Sequence, residues 1–136
     1  MDAPAYENGV ADAALIFGGD WYRCVTALSL HADFAHVMAN VSFGVLLGSM
    51  LSRRFGAGWS WLLILLSGAL GNAVNAGWMG PEHRSIGAST AVFAAIGLLA
   101  GVRIRRLITG LETRRGIWIP FLAAGAFYFF VGNDPE

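Results

Sequence analysis

The chain has 136 residues, of which 56% are hydrophobic and only 13% are charged, and its formal net charge is zero. Because a soluble domain carries about a quarter charged residues, this composition excludes an ordinary soluble domain, and the lack of excess positive charge argues against a nucleic-acid partner. The single cysteine, Cys24, excludes an intrachain disulfide. We therefore expect one integral membrane domain over residues 1–136.

The first segment in chain order, residues 1–33, is neither periodic nor apolar enough to cross a bilayer. It contains Trp21 and Tyr22, and these side chains favour the headgroup region of a membrane. We predict that this segment is an outer loop lying at the membrane interface.

Four apolar runs follow within residues 34–132. A helix needs about 20 residues, and at minimum about 17, to span the hydrocarbon layer, and it satisfies its own backbone hydrogen bonds in lipid. The sequence therefore predicts an all-α, multi-pass bundle of four transmembrane helices. The predicted spans are Phe34–Leu51, Trp59–Trp78, Ile86–Arg103 and Gly116–Gly132.

The charged residues predict the orientation of the bundle. All nine basic residues are arginines, and seven of them lie in the connections after the first and third spans, which the positive-inside rule makes cytoplasmic. Residues 1–33, the loop from Met79 to Ser85 and the C-terminal tail then face the opposite side and hold eight of the nine acidic residues. This arrangement places His36, Asn40 and Ser89 at similar depth near the outer surface.

Ser89 lies among small residues where the third span begins, in the run from Ser85 to Phe93. Polar groups inside lipid-facing segments are costly, so they are functional hypotheses by default. On its own, however, such a serine is most often a packing residue or bonds the carbonyl four residues earlier. Gly97 to Gly101 forms a GxxxG motif, which is typical of close helix contact. Thr90 is a weaker candidate nucleophile.

His36 and Asn40 are four residues apart and so share one face of the first span. Both carry N–H donors, and two donors stacked one turn apart could hold a developing oxyanion. The alternative is a polar pair that bonds neighbouring helices. That structural role is also the one we expect for Asn72 and Asn75.

The three histidines lack the spacing of a metal site. His31 and His36 are five residues apart, about 140° around a helix, so they are predicted to lie on different faces. A zinc site favours histidines at i and i+4 with a carboxylate nearby, and nothing in the sequence fixes His83 near the other two. We expect no metal and no cofactor.

Three motifs in order carry a family resemblance. They are Trp21-Tyr22-Arg23 followed by Thr26-Ala27-Leu28, then His31-x4-His36-x3-Asn40, and then Gly87-Ala88-Ser89. Their order, spacing and helix positions resemble the rhomboid family of intramembrane serine proteases, over about residues 15–132.

The resemblance implies a six-helix core with a Ser–His dyad that opens to the outer face. Ser89 matches the family nucleophile, and His36 and Asn40 match the side chains that form the oxyanion hole together with the Ser89 backbone N–H. The implied substrates are transmembrane proteins cleaved near their outer ends, and the implied location is a bacterial inner membrane. The residues with implied supporting roles are His31, Gly87, Trp21 and Arg23.

The chain departs from the family pattern in two ways. Thr90 stands where the family usually has glycine. The four spans correspond to the family's second to fifth helices, so the base histidine of the sixth helix is expected beyond residue 136, and the 136-residue chain is expected to be inactive. His83 is the only residual candidate for a base near Ser89.

Three functions are open from the sequence. The first is a rhomboid-type intramembrane protease, and the second is a non-catalytic rhomboid-like protein that binds transmembrane helices. The third is a small four-helix scaffold or transporter piece, in which Ser89 and Asn40 are packing groups. The sequence does not predict the oligomeric state.

Overall fold

The computed structural model describes residues 3–111, 113 and 115–131 as a helical bundle with a small cap at one end. Seven α-helices and one pair of short strands make up the described part of the chain. In chain order they are α1 (Ala3–Gly9), β1 (Ala11–Asp12), α2 (Ala13–Phe17), α3 (Arg23–Thr26), a 3₁₀ turn (Ala27–Ser29), α4 (Phe34–Phe55), α5 (Ala57–Met79), β2 (Arg84–Ser85), α6 (Ser89–Ile108) and α7 (Ile119–Val131).

The four long helices fall where the four apolar runs lie, but within the described residues only two of them are long and apolar enough to cross a membrane. These are α4 and α5, with 22 and 23 residues, or about 33 Å each at 1.5 Å per residue. Helix α6 has 20 residues and ends in a cluster of arginines, and α7 has 13 described residues. The helical class is confirmed, whereas the count of four spans stays a prediction.

Two predicted helix starts are wrong for a backbone reason. Helix α6 begins at Ser89 and not at Ile86, because Gly87 has a φ of +107°, which an α-helix cannot contain. Helix α7 begins at Ile119 and not at Gly116, where φ is +72°. The start of α4 at Phe34 is as predicted, and the Asp33 carboxylate caps it by accepting the His36 backbone N–H at 2.8 Å.

Helix α6 is the centre of the bundle and contacts α4, α5 and α7. Its closest neighbour is α5, because a β-carbon on Gly68 would lie 2.8 Å from the Ala91 β-carbon. Small residues therefore bring the two helices together, as is usual between helices in lipid. The buried side chains at the centre are Leu47, Leu51, Ile64, Val92, Ala95, Ile96 and Phe127.

The glycines farther along α6 have open space around them. A β-carbon on Gly97 or Gly101 would meet nothing within 4 Å. Ala91 and Ala95, in contrast, are buried. Ala91 faces α5 across Gly68, so the small residues of α6 serve two different faces of the helix.

The cap consists of α1–α3 with the β1–β2 pair, and it packs on the end of α5. Strands β1 and β2 are antiparallel, with Ala11 opposite Ser85. A second buried cluster, made of Ala11, Ala13, Ile16, Cys24, Ala27 and Ala76, joins the cap to α5. We call this end of the bundle, where α6 begins, the serine end, and the opposite end, with Arg53, Arg54, Arg103, Arg105 and Arg106, the arginine end.

Candidate active site

The loop that leads into Ser89 is fixed on both sides. Strand β2 ties Arg84 and Ser85 to the cap, and the Gly87 backbone N–H donates to the Ala27 carbonyl at 2.9 Å. Ser89 then begins α6. The serine is therefore held at a helix start by main-chain bonds from outside its own helix.

Gly87 brings His36 and Ser89 together. A β-carbon built on Gly87 would lie 2.7 Å from His36 Nε2 and 3.7 Å from Ser89 Oγ. The separation of His36 Nε2 and Ser89 Oγ is therefore at most the sum of these two distances. Both residues are half-buried, so the structure places the imidazole of α4 beside the hydroxyl of α6.

Asn40 lies one turn deeper on α4 and is only 3% exposed. Its Nδ2 donates to the His36 carbonyl at 2.9 Å. An amide nitrogen carries two N–H donors, so one of them is outside this bond. Its Oδ1 is buried and has no hydrogen-bond partner among the described residues.

A cavity of about 260 Å³ opens beside Asn40. His31, Asn40 and Ala88 line its polar end, and apolar side chains of α4, α5 and α6 line the rest. His36 and Ser89 are not among the lining residues; they meet at Gly87 instead. Of the three residues predicted at similar depth, only Asn40 lines this cavity.

His31 contacts His36 directly. Their rings are edge to face, with centroids 5.2 Å apart and an interplanar angle of 82°, and His31 Nδ1 lies 3.3 Å from the Ser29 carbonyl oxygen. The prediction that the two histidines lie on different faces is wrong. It assumed one helix through both residues, whereas α4 begins only at Phe34.

Trp21 and Arg23 lie in the cap and have different environments. Trp21 is exposed, whereas Arg23 is buried. The Arg23 guanidinium bonds the Asp20 carboxylate at 3.0 Å and the carbonyls of Glu7 and Val10 at 2.8 and 3.2 Å. Arg23 therefore holds the residues before β1 onto α3.

His83 has a partner that the sequence analysis missed. Its Nε2 lies 2.8 Å from Asn75 Nδ2, and its carbonyl accepts the Ala13 N–H at 3.0 Å. These two contacts fix His83 in the loop before α6, and neither of them is to His31 or His36. Asn75 does not bond a neighbouring long helix in this contact; it binds the loop between α5 and α6.

Asn72 likewise serves the cap. This residue is 3% exposed, and its Nδ2 donates to the Cys24 carbonyl at 2.9 Å. The expected bond between neighbouring helices is present here, and the partner helix α3 belongs to the cap. The sequence signal was the spacing of two asparagines near the end of an apolar run, but their partners are 48 and 8 residues away.

Arg84 is a further residue that sequence reasoning missed. Its guanidinium lies 2.6 Å from the Glu7 carboxylate and 3.2 Å from that of Asp12. The hydrogen bond to Glu7 raises the pKa of Arg84 above its ordinary value, so the guanidinium remains charged. The loop before Ser89 is thus linked electrostatically to both α1 and β1. Among the described residues, no three His, Cys, Asp or Glu side chains form a metal-ligand group.

Comparison with known proteins shows the family to which the chain belongs. A family model, the Rhomboid domain, matches residues 18–134. The chain belongs to the rhomboid family. This family consists of intramembrane serine proteases, which are integral membrane proteins, and the two apolar helices of this rhomboid chain agree with that location.

Curated rhomboid relatives come from bacteria and eukaryotes. The chain is 31% identical to the rhomboid protease GluP of Bacillus subtilis over 96 residues, which are 71% of this chain and 18% of the relative. It is 30% identical to the putative rhomboid protease YdcA of the same organism over 130 residues, 95% of this chain and 62% of the relative. It is 36% identical to rhomboid-like protease 1 of Toxoplasma gondii over 84 residues, 62% of this chain and 29% of the relative.

This rhomboid chain therefore matches less than two thirds of the length of these relatives. No solved structure matches it significantly.

Proposed function

We propose that this chain supplies the nucleophile and the oxyanion hole of an intramembrane serine protease. Ser89 is the nucleophile, and the Ser89 backbone N–H, His36 and Asn40 are the oxyanion donors. The observation that carries the proposal is the approach of His36 Nε2 and Ser89 Oγ to one point at Gly87. Packing residues of two separate helices would not need a loop that is held by a strand pair, by the Gly87–Ala27 bond and by the contacts of His83 and Arg84.

In this mechanism, Ser89 Oγ attacks the scissile carbonyl carbon while a general base accepts its proton. The carbonyl oxygen becomes an oxyanion, and N–H donors about 3 Å away stabilise it. The second N–H of Asn40 can serve this purpose without breaking its bond to the His36 carbonyl. Collapse of the intermediate expels the amine with the proton from the base, and water then hydrolyses the acyl-enzyme.

The family resemblance implies that the base is a histidine on a sixth helix, outside the 136 residues. Within the chain, His31 packs edge to face on His36, His36 takes the oxyanion role that the resemblance implies, and His83 bonds Asn75. A serine hydroxyl without a base is a weak nucleophile. The 136-residue chain alone is therefore proposed to be inactive, and an extended form with a sixth, histidine-bearing helix is proposed to be active.

The substrates proposed for the extended form are transmembrane proteins. The arginine end faces the cytoplasm according to the positive-inside rule, so the serine end faces the outer side of a bacterial inner membrane. Substrates are then cleaved near their outer ends, where water reaches Ser89.

The test is cleavage of a transmembrane reporter by the extended form in lipid vesicles, measured by the appearance of a product of defined mass. Ser89→Ala is expected to abolish cleavage, and the matched control Ser42→Ala, at an exposed site on α4, is expected to leave it unchanged. Binding of the reporter with no cleavage by the unsubstituted protein would instead favour the non-catalytic helix binder.

A further inference from the structure

An apolar groove lies at the arginine end, far from the serine. It has a volume of about 240 Å³ and runs between α4, α6 and α7. Two arginines, Arg54 and Arg103, stand at its end. The apolar side chains that line it include Leu46, Leu47, Met50, Ile96, Leu99 and Ala123.

A second, basic pocket of about 350 Å³ adjoins the groove. Arg54 lines both of them, so the two spaces meet at its side chain. Arg105, Arg106 and Thr109 supply the other polar groups of this pocket. Together they form one site, which is apolar along the groove and cationic in the basic pocket.

Two arginines of the basic pocket, Arg54 and Arg105, have no ion pair within the described part of the chain. The ion pairs recorded there, Arg23–Asp20, Arg84–Glu7 and Arg84–Asp12, all lie in or beside the cap. Neither Arg54 nor Arg105 has an acidic partner among the described residues. Two neighbouring guanidinium groups without a carboxylate partner among the described residues favour an anionic ligand, and guanidinium groups bind phosphate well.

We propose that this site binds one anionic phospholipid. The phosphate lies between Arg54 and Arg105, and an acyl chain lies along the apolar groove between α4, α6 and α7. Helix α4 is long enough to span the bilayer, and Arg54 is its second-to-last residue, so the guanidinium lies at headgroup depth. Basic pockets between helices on the cytoplasmic side are suited to such headgroups.

The apolar groove indicates that the ligand is a lipid and not a soluble anion. Inorganic phosphate would use the guanidinium groups but would gain nothing from the groove, whereas an acyl chain removes that surface from contact with mobile lipid tails. A zwitterionic phospholipid would fill the groove, but its own ammonium group would weaken the attraction to the arginines. The ligand therefore needs both an acyl chain and a headgroup with a net negative charge.

The experiment is native mass spectrometry of the 136-residue chain in detergent, titrated with phosphatidylglycerol, phosphatidylcholine of the same acyl length, or inorganic phosphate. One phosphatidylglycerol is expected to remain bound, at least tenfold more tightly than phosphatidylcholine, and inorganic phosphate is not expected to compete. Arg54→Gln is expected to weaken phosphatidylglycerol binding at least tenfold. Arg53→Gln, the neighbouring exposed arginine that lines neither space, is the matched control and is expected to leave it unchanged.

A second variant tests the apolar groove without removing charge. Met50→Trp places a larger side chain in the groove and is expected to weaken phosphatidylglycerol binding while the helical circular-dichroism signal is retained. Equal weakening by Arg53→Gln and Arg54→Gln, equal binding of the two lipids, or displacement by inorganic phosphate would each overturn the proposal. So would unchanged binding in a folded Met50→Trp variant.

Discussion

Gly87 lies directly against the His36 imidazole, so that a β-carbon at this position would be 2.7 Å from His36 Nε2. The same glycine has a φ of +107°, which side-chain-bearing residues rarely adopt. It also donates its backbone N–H to Ala27. One residue therefore sets the distance between α4 and the loop that presents Ser89.

Replacing Gly87 with alanine is expected to displace the His36 ring and to lower the cleavage rate of the extended form at least tenfold. The substitution is also expected to cost about 1 kcal/mol or more in stability, because it adds backbone strain to the steric conflict. Vesicle cleavage assays and thermal unfolding measure the two effects.

Gly97→Ala is the matched control for this substitution. Gly97 lies in α6 with open space around it, so alanine is expected to be neutral or to stabilise the helix by up to about 1 kcal/mol. Equal losses of activity in both variants would show that Gly87 has no particular relation to His36.

Asn40→Ala is expected to lower the turnover number by about 10²–10³-fold, the usual effect of losing one oxyanion donor. The loss is smaller than for Ser89→Ala, because His36 and the Ser89 backbone N–H remain. The measurement is the turnover number at saturating substrate, beside the thermal stability of the same protein. A folded Asn40→Ala variant with full turnover would remove Asn40 from the oxyanion hole.

His83→Ala is expected to leave cleavage by the extended form within about twofold of its original rate, because Asn75 holds the imidazole at Nε2 and the proposed base lies elsewhere. The assay is run on the 136-residue chain as well, where no cleavage is expected. Cleavage by the 136-residue chain that disappears in His83→Ala would make His83 the base.

Asn72→Ala is expected to loosen the cap and expose Cys24. The substitution leaves the buried Cys24 carbonyl without its donor, at a cost of about 1–3 kcal/mol. In the unsubstituted chain, burial raises the pKa of the Cys24 thiol, so its alkylation by a maleimide is expected to be slow at neutral pH and to rise only at higher pH than for an ordinary cysteine.

The rate of Cys24 alkylation as a function of pH measures this effect. In Asn72→Ala the rate at neutral pH is expected to increase, and its rise is expected to move toward lower pH as the thiolate becomes better solvated. Asn75→Ala, which removes the contact to His83 only, is the control. Unchanged protection of Cys24 in Asn72→Ala would show that the cap is held by its other contacts.

The sequence was sufficient to predict the helices and the set of polar residues, but not the contacts between these residues. Continuous apolar runs predict α4 and α5 well, because length and hydrophobicity are local properties. The contact of His31 with His36 depends on where α4 begins. The Asp33 cap sets that start, but a single aspartate in the sequence is weak evidence for the beginning of a helix. The partners of Asn72 and Asn75 depend on the cap, whose short helices have no strong periodicity.

The cap also explains why residues 1–33 were predicted only as an interfacial loop. Its stability comes from long-range bonds, such as Arg23 to the Glu7 and Val10 carbonyls and Arg84 to Glu7. These join residues up to 77 positions apart, and no pattern of spacing shows them. The left-handed φ of Gly87 was equally hidden, although a glycine two residues before a candidate nucleophile is a signal that could have been used.

The identity of the nucleophile is tested most directly by covalent labelling. The extended form in lipid vesicles is treated with a fluorophosphonate, digested and mapped by mass spectrometry. We predict one adduct, on Ser89, that is absent after Ser89→Ala and retained after Ser42→Ala. An adduct on another residue, together with cleavage of the reporter that survives in Ser89→Ala, would contradict the assignment of Ser89 as the nucleophile.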